Sequence, residues 1–208
     1  MPNATKGVFA GAVILMAMMS WGGPGAADVP NRMHQPLTGK IDQRLFDEAV
    51  LIYSNAVRKA NGRQPLRSDP ALSRAAADHA RNMARLRTHA HELPVRGQKH
   101  LKQRMQRVSA NFRLAAENIA MDKVYRLLGR PIAMGYQSCN FTYGDTKTPV
   151  PIHTYASLAK QVVDRWYRSP GHKKNLLNPK FRRLGSGVGV DPNGPACGDF
   201  YLTQNFAD

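Results

Sequence analysis

Apolar residues recur at helical spacing in three stretches of this chain. Leu45, Ala49, Ile52 and Ala56 mark an amphipathic helix that stops at Asn61-Gly62. Asp69-Pro70 reads as an N-cap followed by a first-turn proline, and it opens a second helix with Leu72, Ala76, His79 and Met83 on one face. His79 falls on that apolar stripe, so it is expected as a packed histidine and not as a ligand. The third stretch carries Tyr155, Leu158, Ala159, Val162, Val163 and Trp166 on its buried side. Ser169-Pro170-Gly171 ends it and leaves His172 on a loop or a fresh helix start.

Beyond that point the period changes. Val188 and Val190 close one strand-like run, Asp191-Pro192-Asn193-Gly194 turns, and Phe200 to Phe206 forms the return strand. Helices come first and an antiparallel pair last, which predicts an α+β fold. Residues 87–115 are basic and mixed, interrupted by Pro94 and Gly97, with a short helix predicted around Leu101 to Val108. Residues 129–153 are dense in turn-forming residues and are expected as a loop insertion with a short hairpin near Phe141 and Tyr143.

A length of 208 residues suits one domain with a substantial core. Lys6, the apolar run Val8 to Met19 and the small residues Gly25-Ala26-Ala27 read as a secretory signal over residues 1–27. That run falls short of the roughly 20 residues a bilayer span requires, so no stable span is expected after cleavage; an uncleaved anchor is the alternative. Residues 28–40 read as a polar leader to a domain over 41–208. The formal charge of +16 attracts polyanions in a salt-dependent way, unless it is simply a solvated basic surface. In an exported chain, Cys139 and Cys197 are expected to pair, closing a long loop for roughly 4 kcal/mol of stability.

Four segments are more specific than any of this. They are Ala116-Glu117-Asn118-Ile119-Ala120, the stretch from Trp166 through Ser169-Pro170-Gly171-His172 to Leu177, Leu184-Gly185-Ser186-Gly187-Val188-Gly189, and Tyr201-Leu202-Thr203-Gln204-Asn205-Phe206. In that order they resemble the CAP superfamily of cysteine-rich secretory, antigen 5 and pathogenesis-related proteins, in its bacterial single-domain form. The resemblance implies a three-layer α-β-α sandwich with a small, largely antiparallel central sheet and an open cleft.

In that family two histidines and two glutamates line the cleft, and the resemblance carries three of them onto this chain. His172 matches the histidine after the glycine, and Glu117 matches the glutamate of the Glu-Asn pair. His91, followed by Leu93-Pro94 and Arg104, matches the upstream histidine, with His89 the alternative. At the fourth position Ser169 stands where eukaryotic members often carry glutamate, and a hydroxyl cannot supply a carboxylate's charge. Glu92 is the candidate to compensate if its loop folds inward. Asn118, Thr203 and Gln204 are expected to brace the sheet, and Asn175 to bond locally after His172.

Two function classes follow. In the first, an exported, secreted or periplasmic binding module takes lipid or another anionic or hydrophobic ligand in a cleft formed by His91, Glu117, His172 and Ser169. In the second, a metal-assisted hydrolase uses His91 and His172 to hold a divalent ion such as zinc, with Glu117 as ligand or base. A hydrogen-bonded network without metal is the structural alternative to that second class. Metalloprotease, nucleophile-elbow and phosphate-loop signatures are absent, so no catalytic nucleophile is nominated. Aromatics scarcely interleave with the basic residues, and specific nucleic-acid recognition is not expected.

Overall fold

The computed structural model describes residues 29–133 and 139–208; the expected signal segment lies outside the described residues. The helices are α1 (Gln43–Ala60), α2 (Pro70–Leu86), α3 (Leu101–Arg107), α4 (Tyr155–Arg168) and α5 (Pro170–Leu176). The strands are β1 (Arg67–Ser68), β2 (Ala115–Lys123), β3 (Ile132–Ala133), β4 (Thr142–Tyr143), β5 (Arg183–Asp191) and β6 (Asp199–Ala207). The main sheet has the order β1-β5-β6-β2. Only its short β1–β5 pairing is parallel; β5–β6 and β6–β2 are antiparallel.

Side-chain alternation along the sheet sets the layers. Leu184, Val188, Phe200, Leu202 and Phe206 face the main core, which they share with α1 and α4. Ile119, Tyr201 and Ala207 point to the opposite face, against Met83 and Leu72 of α2 and Met105 of α3. This is the α-β-α arrangement implied by the resemblance.

The cap expected at Asp69 forms, and Asp42, which the sequence reading did not single out, caps α1 in the same way. Asp42 Oδ1 accepts from the backbone N–H of Arg44 and Leu45 at the start of α1, and Asp69 Oδ1 accepts from those of Ala71 and Leu72 at the start of α2. The buried stripe of α1 is rotated from the one predicted, however. Phe46, Val50, Tyr53 and Val57 are buried, while Ile52 and Ala56 are only partly covered. Helix α1 is wedged between α4 and the sheet, and the larger side chains take the inner face.

Three glycines bring α2 onto β5. A Cβ at Gly185, Gly187 or Gly189 would lie 2.1, 2.2 or 2.3 Å from backbone atoms of Ser73, Ala77 and Ala80. Any side chain there forces the layers apart. Both edges of the sheet are also closed by helix side chains. On β5, the Gln43 amide bonds both backbone groups of Val188, and Asp47 Oδ1 accepts from Ser186 N–H at 2.6 Å. On β2, the carbonyls of Glu117, Ile119 and Met121 accept from Asn175, Trp166 and Arg165. Capping of this kind removes the template for strand-to-strand association.

Strand β2 was not predicted from the pattern. Both faces of its centre, residues 117–120, are covered, and its sequence shows no apolar–polar alternation. The polar leader is likewise more than a linker: Val29, Met33 and Leu37 are buried in the main core, and Asn31–His34 forms a 3-10 turn. In the expected insertion β3 and β4 pair as a small hairpin, with Phe141, Tyr143 and Val150 forming their own cluster. The Cys139–Cys197 disulfide ties this segment to the β5–β6 turn. Among the described residues no helix is long and apolar enough to cross a membrane.

Candidate functional site

Strand β2 delivers Glu117 to the middle of the molecule with its side chain 3% exposed. A carboxylate that deep requires partners, and it has two. Arg104 Nη2 donates to Glu117 Oε2 at 2.7 Å, and His91 Nδ1 bonds Oε1 at 2.9 Å. Burial pushes the carboxyl up, but the His91 hydrogen bond and the Arg104 charge outweigh it and hold Glu117 below its ordinary value. His79 Nε2 lies 3.8 Å from Oε1 on the inner side and contacts the Ala90 carbonyl at 3.1 Å.

Arg104 does more than neutralise Glu117. Its Nη1 donates to the carbonyls of His91, Gln98 and Lys99. One buried guanidinium therefore clamps the loop between α2 and α3 and sets the backbone from which the His91 ring hangs. That ring is 54% exposed at its outer side. Its Nδ1 is committed to Glu117, which leaves Nε2 as the atom available to a ligand.

His172 arrives from the opposite side, on the first turn of α5. Asn118 Nδ2 donates to the His172 carbonyl at 3.3 Å and to Gln204 Oε1 at 3.2 Å. Asn175 reaches from α5 to Asn118 Oδ1 and the Glu117 carbonyl; it bonds across to β2, not locally as expected. The α4–α5 break at Pro170 is thus pinned to the strand that carries Glu117. Burial, His91 and Arg165 all lower the His172 pKa, and burial, His91, Arg165 and His172 lower that of His89. His89, His91 and His172 therefore influence one another's charge, and Arg165 acts on His89 and His172 alike.

Two sequence expectations change here. Glu92 does not turn inward; it pairs with His100 Nδ1 at 2.9 Å on the exposed side of its loop. Ser169 occupies the α4–α5 junction without a side-chain capping bond, and the hydrogen bonds of Glu117 go to His91 and Arg104 instead. Arg104 and His79 are the members of this cluster that the sequence did not nominate. Arg104 reads like its exposed neighbours Lys102 and Arg107, and no local pattern marks it as buried.

The donor set does not fit a resident catalytic zinc. Such sites use three protein ligands, whereas both Glu117 oxygens are taken by Arg104 and His91. Among the described residues no group of three His, Cys, Asp or Glu side chains is placed to hold a metal ion. The site instead presents exposed imidazole edges beside a buried Arg104–Glu117 ion pair.

The model of the cysteine-rich secretory protein (CAP) family matches residues 51–206. The chain belongs to the CAP family. The uncharacterized protein YkwD of Bacillus subtilis is 27% identical over 142 residues, covering 68% of this chain and 42% of that protein. The chain therefore spans less than half the length of this curated relative. An extracellular SCP-domain protein from Bacillus anthracis superposes with a TM-score of 0.51 at 23% identity, covering 82% of this chain and 45% of that one. An outer surface protein from Borrelia burgdorferi gives a TM-score of 0.53 at 18% identity, covering 81% and 97%. At these identities the two structures speak to the CAP fold alone.

Proposed function

We propose that this CAP domain is a binding module acting outside the cytoplasm, and that its histidine cleft takes an anionic, lipid-like ligand. The observation that carries the reading is the division of labour around Glu117. The carboxylate is engaged by Arg104 on one oxygen and His91 on the other, so its evident work is to position a ring within a buried ion pair. A Glu117 held below its ordinary value by His91 and Arg104 is also a weak general base.

The mouth of the cleft is built differently. His89 and His91 are exposed and His172 is half-buried; Arg165 is exposed too, with its Nη1 donating to Asp122 and the Met121 carbonyl. The ring N–H groups of His89 and His172 and a guanidinium suit a phosphate or carboxylate headgroup, while the neutral His91 ring, with Nδ1–H given to Glu117, presents Nε2 as an acceptor. The formal charge of +16 adds a general attraction to anionic surfaces that salt weakens. The signal-like residues 1–27 and the Cys139–Cys197 bridge support an oxidising location, secreted or periplasmic.

Monomeric lysophosphatidylglycerol at about 0.15 M salt, where the general charge attraction is largely screened, is the direct probe. Calorimetry is expected to show one-to-one binding that weakens about tenfold or more in the His91→Ala/His172→Ala double variant. Equal affinity in both proteins, or binding that vanishes uniformly with salt, contradicts a cleft-directed ligand.

A further inference from the structure

A second cleft lies on the other side of the β5 edge from the histidines, between α1 and α2. Its volume is about 1020 Å³ and its floor carries Asp47, Ser68, Ser73 and Ser186. Asp47 is 6% exposed. Its Oδ1 accepts from Ser186 N–H at 2.6 Å, and Oδ2 accepts from the hydroxyls of Ser73 at 2.8 Å and Ser68 at 3.2 Å. These are neutral donors. Among the described residues no cation pairs with Asp47, although four arginines line the same cleft.

Two of those arginines are engaged elsewhere: Arg32 pairs with Glu48, and Arg81 with Asp78 at 2.5 Å. Arg44 and Arg74 are exposed at the rim. Asp69, itself held by Arg183, adds negative charge near the carboxylate, and Asp42, Glu48 and Asp78 line the same cleft. Asp47 is thus a buried anion without a counter-ion. Burial pushes its carboxyl up to about 6, with the three hydrogen bonds only partly compensating. A second polar group in the cleft also lacks a partner: Ser186 is 1% exposed and its hydroxyl has no hydrogen bond. Leu45, Leu51, Ala77 and Val108 supply apolar wall.

We propose that the α1–α2 cleft is a binding site for an organic ammonium ion, with the Asp47 carboxylate as its counter-ion, Ser186 as a further hydrogen-bond acceptor and the apolar wall covering the attached carbon chain. An ammonium brings the positive charge that the carboxylate lacks and three N–H donors. Carboxylate oxygens retain lone pairs beyond the three already used, and the Ser186 oxygen is free to accept. The ligand is a free alkylamine or the ethanolamine headgroup of a lipid; the chemistry of recognition is the same.

The test is calorimetric titration of the full chain at pH 7.5 with n-hexylamine, n-hexanol and monomeric lysophosphatidylethanolamine. Wild type, Asp47→Asn and His172→Ala are compared. Asparagine can still accept from Ser186 N–H and donate to Ser73, so Asp47→Asn keeps the fold, and an unchanged circular dichroism spectrum with a melting temperature no lower than wild type checks this. Hexylamine is expected to bind wild type one-to-one and to lose about tenfold or more in Asp47→Asn. Hexanol should not bind, and His172→Ala should bind hexylamine like wild type.

Lysophosphatidylethanolamine following the same Asp47 dependence assigns the site to lipid headgroups, and hexylamine binding alone assigns it to free amines. Hexylamine binding equally to Asp47→Asn, or not binding wild type at about 1 mM, overturns the proposal. The His172→Ala arm keeps this site separate from the histidine cleft, so either reading can fail without the other.

Discussion

Arg104 Nη2 and Glu117 Oε2 lie 2.7 Å apart with side chains 1% and 3% exposed, and this ion pair is the keystone between the sheet and the loop that carries His91. Removing one partner strands the other charge in the interior, at a cost of about 3–5 kcal/mol. Arg104→Ala and Glu117→Ala are each expected to lose that much stability in urea denaturation. The double variant should lose clearly less than the sum, because the second substitution removes an already orphaned group. Strict additivity contradicts the direct pairing.

Acid should act on this fold through His153. Its ring is fully buried, its Nδ1 contacts Ser157 Oγ and its Nε2 has no partner. Burial, only partly offset by the Asp122 charge, lowers its pKa to about 4 from 6.5. Between those values the unfolded chain binds the extra proton, so stability falls as the pH drops from 6.5 to 4, by about 3 kcal/mol in all. Asp47, raised to about 6 from 3.8, has the opposite sign. There the folded state binds the proton, and stability rises by a similar amount as the pH falls from 6 to 3.8. Relative to wild type, Asp47→Asn is expected to lose stability more steeply on acidification and His153→Asn less steeply. Parallel curves of unfolding free energy against pH for the three proteins contradict both assignments.

The glycines of β5 give a sharper packing test. A Cβ at Gly187 would sit 2.2 Å from the Ala77 backbone nitrogen, and no rotamer relieves a clash with backbone. Gly187→Ala is expected to cost about 3 kcal/mol or more. Gly171→Ala, where a Cβ meets nothing within 4 Å, should be neutral or slightly stabilising inside α5. Comparable losses in the two variants contradict the close approach of α2 to the sheet.

What the chain disclosed in advance depended on periodicity. Helix α2 was legible because Asp69-Pro70 caps it and Leu72, Ala76, His79 and Met83 share its inner face. Helix α4 was legible for the same reason, and its stop at Ser169-Pro170-Gly171 put His172 at a fresh helix start. Strand β2 was not legible, because Glu117 and Asn118 are polar groups in its buried centre, residues 117–120, and break any pattern of two. The stripe of α1 was misread by one position, since helical spacing alone cannot choose between Ile52 and Tyr53 as the inward residue. Long-range polar pairs leave no local trace: nothing near Arg104 announces Glu117, and nothing near Asp47 announces Ser186. The sequence favoured His91 over His89 only through the spacing to Leu93-Pro94 and Arg104, and the fold shows that His91 is the one that hydrogen-bonds Glu117.

The measurement closest to the central claim follows the histidine rings by two-dimensional NMR while monomeric lysophosphatidylglycerol is titrated into the protein at about 0.15 M salt. A binding module at the histidine cleft predicts saturable, one-to-one shifts of His89, His91 and His172, with the buried His79 and His153 unmoved. Rings that stay in place while the lipid binds, or small unsaturable shifts spread over every histidine, contradict it.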